Sequence, residues 1–332
     1  MGRATDGARA WWSRAAVLTL TLSGACGVHM PRIGEHLMPP VVPYASAADT
    51  STMSGRRWHR ARAANYDLYV QAPTIIPELD ERLQETVRQF ARHFGAAPRV
   101  AVLVFDAPAD PTREFDFSGF QATHTQVLTF VRAPKHQRAG ELGIDEGLLR
   151  ARLAELFLAA YADSVVAART GRWDAATGGH AVNRLPHWFA EAVISRVARP
   201  EAVEPGLRFL RANRLQLVPL QRLFGVARLG APAWSEMADR RPPTLALGAA
   251  ETPASAPPAS PPASPALLAA ESTVFGEFLV DRYGPTFLQA VADALLEGLP
   301  TERAFAGLPG VPADRAALER DWGDWLARTD DR

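Results

Sequence analysis

Two glutamates and a histidine are the residues of this chain best placed to do chemistry together. Glu155 and Glu191 stand 36 positions apart, each inside a stretch whose apolar residues recur at helical spacing. His187 precedes Glu191 by four positions, so both share one face of a helix that opens at Pro186. Carboxylates and an imidazole gathered from two helices are metal ligands. Catalytic zinc, however, keeps three protein ligands that include histidine, and a harder cation needs more oxygens than two carboxylates supply. His180, just upstream, and His124 are further histidines that a rearranged site would draw on. The plainer reading makes His187 a surface imidazole and Glu155 a helix carboxylate that bonds a neighbouring backbone group or arginine.

Other catalytic signatures are missing. No glycine-rich phosphate loop leads into a helix, and no Gly-x-Ser-x-Gly elbow occurs. The single cysteine, Cys26, rules out a disulfide framework and a cysteine-based zinc knuckle. The 36 basic and 36 acidic residues cancel, which excludes a strongly basic nucleic-acid binder and an acidic tail protein. One local cluster, Arg56-Arg57-Trp58-His59-Arg60 with Arg62, has the composition to touch anionic headgroups or nucleic acid. On a neutral chain it reads as a solvated approach to the first strand. Trp322 and Trp325, three apart on one helix face, read as core.

Residues 1–26 have the order of a bacterial export leader: basic Arg3, Arg9 and Arg14, an apolar run from Ala15 to Leu22, then small residues. That run is too short for a span, which needs about 20 apolar residues. Leu-Ser-Gly-Ala-Cys (22–26) resembles the lipobox of bacterial lipoproteins, with Ser23 in the position where that pattern favours leucine. The resemblance implies lipidation at Cys26. Ordinary cleavage after Ala25, or after Ala-Ser-Ala (45–47), is the alternative. Either route gives an exported product, periplasmic or membrane-anchored.

The tether, residues 27–55, has no periodicity. Strand patterns follow at 65–71 (NYDLYVQ), 99–105 (RVAVLVF) and 126–131 (QVLTFV). Between the first two, Leu79, Leu83, Val87, Phe90 and Phe94 mark a helix stopped by Gly95. Leu149, Leu153, Leu156, Phe157, Ala160, Tyr161 and Val165 mark a long helix, nearly apolar on its inner side. Pro186 opens a helix with Trp188, Phe189, Val193, Ile194 and Val197, and Pro219 opens a short turn, PLQRLF. Residues 241–266 hold eight of the 27 prolines and a tandem Pro-Pro-Ala-Ser repeat, the composition of a disordered insertion. Helical patterns resume at Ser272, with stops at Gly284 and Gly298, and end with 314–328.

This order, with Leu185-Pro186-His187-Trp188-Phe189-Ala190-Glu191-Ala192 as its most specific piece, resembles the peptidase-MA-like branch of the gluzincin metallopeptidases. The likeness covers 56–240 and 267–329, read as one interrupted domain. In that family the segment runs Pro-x-Trp-Phe/Leu-x-Glu-Gly and its glutamate is the third zinc ligand, which implies that role for Glu191. Ala192 replaces the glycine. The family's His-Glu-x-x-His helix puts two histidines on one metal, with the glutamate as general base on bound water. The matching stretch here is Ala154-Glu155-Leu156-Phe157-Leu158, so Glu155 keeps the base position while Ala154 and Leu158 replace both histidines.

The resemblance thus implies an α+β fold of gluzincin type: a small, mainly antiparallel sheet packed on a long helix, then an all-helical lobe. It also implies a catalytically inactive relative with no cofactor, serving as a peptide- or protein-binding or structural component of the bacterial envelope. No nucleic-acid partner is expected. The partner would be an unidentified peptide or envelope protein, with membrane attachment through Cys26. The alternative is an active metallopeptidase whose zinc sits on Glu155, His187 and Glu191.

Overall fold

The β-branched and aromatic runs at 66–70, 100–106 and 126–132 form the centre and one side of the sheet. The structure, a computed structural model, describes residues 50–53, 56–106, 126–132, 145–170, 181–225, 264–312 and 314–329, all within the unit spanning 37–332. Five strands pair in chain order: β1 (Thr50–Met53), β2 (Arg56–Arg62), β3 (Tyr66–Val70), β4 (Val100–Asp106) and β5 (Gln126–Arg132). Along the inner face the register sets Ala61 opposite Leu68, Leu68 opposite Val102, and Val102 opposite Leu128, an apolar row that faces the helices. The alternate residues Trp58, Tyr69, Ala101, Leu103 and Phe105 gather on the opposite face, where Trp58 meets Phe105 edge-on at 4.8 Å between ring centroids.

The expectation of a mainly antiparallel sheet is corrected. β1, β2 and β3 are antiparallel, but β3–β4 and β4–β5 are parallel, so the sheet is mixed. The reason is connectivity. The helix between β3 and β4 carries the chain back across the sheet, and a strand–helix–strand crossover leaves its two strands parallel. Periodicity identifies strands but not their direction. Parallel central strands are covered on both faces. All five residues of β3 are accordingly buried, where alternation alone predicts half.

A second correction concerns the basic cluster, which forms β2 itself and is no solvated approach. Its charge is used within the sheet. The buried carboxylate of Asp67 lies 3.3 Å from Arg60 Nη2, 3.3 Å from Arg62 Nε and 2.9 Å from Arg99 Nη2. The Arg60 guanidinium also sits 5.1 Å above the Tyr69 ring, a cation–π contact. β1 falls in the stretch read as a tether, whose Thr and Ser carry no apolar alternation to betray it.

Under the sheet lies α1 (Ile76–Phe94), which buries Leu79, Leu83, Val87, Phe90 and Phe94 as the spacing predicts. It ends at Gly95, whose φ of +72° is a conformation that side-chain-bearing residues resist. α2 (Glu146–Thr170) is the longest helix described, and its midsection is buried nearly all round because α1, β5 and the next helix pack on it. That next helix is α3 (His187–Ala198), which lies against both α2 and a later one. α4 (Val203–Ala212) and the short α5 (Leu220–Phe224) follow. α6 (Pro265–Tyr283) opens seven residues before Ser272, at Pro265, with the Ser264 hydroxyl accepting from Leu267 N–H at 3.1 Å. The last two residues of the supposed insertion are therefore helix, while 241–263 lie outside the described residues. α7 (Phe287–Leu296), α8 (Thr301–Ala306) and α9 (Arg315–Arg328) complete the lobe. Inner sheet face and helices share one apolar core. Trp322 and Trp325 are buried in it, and the Trp325 indole N–H donates to Asp281 at 2.7 Å.

Candidate functional site

α2 carries Glu155 and α3 carries Glu191, and the two helices pack together. Around Glu155 the helix is dictated by the core. Ala154 and Leu158, at the positions where the family pattern has histidines, are fully buried in the apolar cluster with Phe157 beside them. Neither place has room or polarity for an imidazole. Glu155 turns to the helix margin, where its Oε2 accepts from Arg152 Nη1 at 2.9 Å. This is the arginine-bonded helix carboxylate of the plainer expectation.

α3 starts at His187 behind Pro186, whose extended backbone and fixed φ close off the preceding turn. His187 is half-buried. Glu191, one turn on, is three-quarters buried and has Arg199 Nη2 3.6 Å from its Oε1. Both glutamates of the resemblance are thus matched by arginines close in sequence, Arg152 and Arg199. Among the described residues no group of three His, Cys, Asp or Glu side chains is arranged to hold a metal ion, so Glu155, His187 and Glu191 are not drawn into such a set. Cys26, His124 and His180 lie outside the described residues.

The substitution at Ala192 has a structural counterpart. α3 crosses α6 so closely at Gly276 that a Cβ built there would lie 2.8 Å from Ala192 Cβ and 3.4 Å from Ala192 Cα. One methyl fits between the helices, and Ala192 supplies it. Gly276→Ala is expected to cost about 1–3 kcal/mol through overpacking, and Ala192→Gly in the same chain to recover most of that loss. A double-mutant cycle by urea denaturation checks this. Additive effects would refute the one-methyl account.

Three buried polar residues went unmarked in the sequence. Asp163 on α2 accepts from Ala181 N–H at 2.9 Å through Oδ1 and from the Gln126 side chain through Oδ2, so it fixes the start of β5 and the turn before α3 to the long helix. Its signal was an acid on an otherwise apolar helix face. Ser195 on α3 accepts from the Thr273 hydroxyl on α6 at 2.9 Å. Glu271, also on α6 and only 3 % exposed, accepts from Val218 N–H at 2.6 Å through Oε1, while its Oε2 has no hydrogen-bond partner among the described residues. Burial pushes its carboxyl up to about 7 against the pull of the Val218 N–H, leaving it largely protonated below neutral pH.

The site is therefore a pair of arginine-matched carboxylates on the rim of a filled interior, beside a sheet that ends at β5 among the described residues. Compared with family models, with curated proteins and with solved structures, the chain shows no match.

Proposed function

We propose that this chain is an exported bacterial envelope protein of gluzincin type that has lost peptidase chemistry and acts by binding. The observation that carries the loss is the burial of Ala154 and Leu158 in the apolar core, where the chemistry requires two histidines facing water and metal. The arginines beside Glu155 and Glu191 support it, because each cation takes up the negative charge that a metal would otherwise balance. Phe157, Leu158, Trp188 and Phe189, all buried, fill the interior around this position, which supports the same reading.

β5 supports the binding half of the reading. Among the described residues it is the last strand of the sheet, bonded to β4, and the Gln126 side chain at its start donates to Asp163. An open edge presents N–H and C=O groups in a row, which an extended peptide or a strand of an envelope protein completes. Capture from a peptide library followed by amide hydrogen exchange tests this. The expected result is slowed exchange confined to Gln126–Arg132 and an uncleaved peptide. Cleavage, or slowed exchange centred on Glu155 and Glu191, would favour the rearranged zinc site instead.

A further inference from the structure

Val218 and Leu220 flank Pro219 at the entry to α5, and each gives its backbone N–H to an acid from another helix. Val218 donates to Glu271 Oε1 on α6 at 2.6 Å, and Leu220 donates to Glu319 Oε1 on α9 at 2.7 Å. Pro219 has no N–H to give. These two bonds and the buried side chains Leu220, Leu223 and Phe224 hold residues 217–225 against the lobe. Phe224 packs into the aromatic cluster there, with ring centroids 5.3 Å from Trp188, 5.8 Å from Phe275 and 5.5 Å from Phe305.

The two acids differ. Glu319 is half-buried, whereas Glu271 is buried and its Oε2 meets no donor among the described residues. Charged groups on the helices beside Glu271 are engaged elsewhere or face solvent. On α3, Arg196 pairs with Glu277 and Arg199 lies beside Glu191. On α4, Arg211 donates to the Thr329 carbonyl, and Glu204 and Arg208 are exposed. From α9 comes Glu319, a second acid rather than a cation. A neutral Glu271 is accommodated in these surroundings. An ionised one puts a negative charge in an apolar interior with a single N–H to answer it, which is costly.

Relief comes from the neighbour that gives way most readily. α6 is anchored to α3 by the close Ala192–Gly276 contact and by the Thr273–Ser195 hydrogen bond. Against it lies one five-residue helix with its lead-in, and moving that piece brings water to the carboxylate. We propose that residues 217–225 are a flap, held shut by the protonated Glu271 side chain and released when that carboxyl ionises, which bares the aromatic side chains around Trp188. The flap stands independently of the peptide-binding reading, which rests on β5.

With the flap open the carboxyl is hydrated and releases its proton near 4.5; with it closed, burial holds the proton to about 7. Opening therefore releases a proton between those values. It becomes tenfold more frequent per pH unit, about 300-fold in all, and levels off above 7.

Amide hydrogen exchange of the full chain between pH 4.5 and 8, corrected for intrinsic rates, tests this. The amides of Val218, Leu220, Arg222 and Leu223, all hydrogen-bonded, are expected to exchange faster than those inside α3 and α6 at every pH. Their opening constant is expected to climb about 300-fold across the window. Interior amides exchange through global unfolding, carry the opposing His93 slope as well, and stay nearly level up to 6.5. Glu271→Gln flattens the climb at 218–223. Glu319→Gln raises opening about fivefold at every pH and keeps the climb, because it weakens the hold without removing the titration. Exchange of 218–223 at the interior rate, a level profile there, or a climb that survives Glu271→Gln would overturn the proposal.

Discussion

Trp188→Ala is expected to lower the unfolding free energy by about 3–5 kcal/mol, the largest effect of any single substitution considered. Trp188 is fully buried at the second position of α3. Its ring centroid lies 5.5 Å from Phe189, 5.3 Å from Phe224, 5.5 Å from Phe275 and 5.9 Å from Phe305. Those partners come from α3, α5, α6 and α8, so the indole is where four helices meet. Removing it leaves a void that none of them closes without moving the rest. Its Nε1–H has no hydrogen-bond partner among the described residues, so Trp188→Phe gives up volume but also relieves a buried, unsatisfied donor. The phenylalanine variant is therefore expected to cost less than half as much as alanine. Urea denaturation measures both, and a loss under about 1 kcal/mol for alanine would show that this segment does not organise the lobe.

The second large effect depends on pH. An unfolded glutamate releases its proton near 4.5, whereas Glu271 holds its proton to about 7 in the fold. Between those values the folded state binds the extra proton, so this group makes stability fall as pH rises, by about 3 kcal/mol over the window. His93 acts in the opposite sense. Its imidazole is buried, its Nδ1–H donates to the Pro285 carbonyl at 3.0 Å, and burial pushes it down to about 4 from 6.5. Stability from His93 is full above 6.5 and is lost as pH falls towards 4. From 4.5 to 6.5 the two slopes oppose, so the intact protein has a nearly level profile there. Glu271→Gln keeps an oxygen for the Val218 N–H but removes the titration. The variant is expected to gain on the intact protein by about 3 kcal/mol between pH 4.5 and 7.5, and to expose the His93 slope. A difference between the two that stays constant with pH would refute this assignment.

What the sequence made legible followed from physical signals that are local. The apolar spacing of α1, the glycine that stops it, and the apolar midsection of α2 all depend on residues within a few turns. The strands β3, β4 and β5 likewise announced themselves by alternation and β-branched content. Strand direction did not, because it is set by where α1 returns the chain. β2 was hidden by its arginines. Asp67, a buried acid in a neighbouring strand, draws two of them into the sheet, and no local rule pairs them. At the site, Glu155 and its Arg152 partner are an i, i+3 pair readable on a helix. The crossing of Ala192 against Gly276 is not readable, since 84 positions separate them and only the packing of α3 on α6 brings them together.

With Ala154 and Leu158 buried and an arginine beside each of Glu155 and Glu191, the proposed function predicts that the α2–α3 pair binds no zinc. Native mass spectrometry of the purified chain after incubation with a small excess of zinc tests that most directly. The expected spectrum shows the metal-free mass, unchanged in Glu155→Gln and Glu191→Ala. One zinc per chain, lost in Glu191→Ala, would contradict the account and restore the metallopeptidase reading.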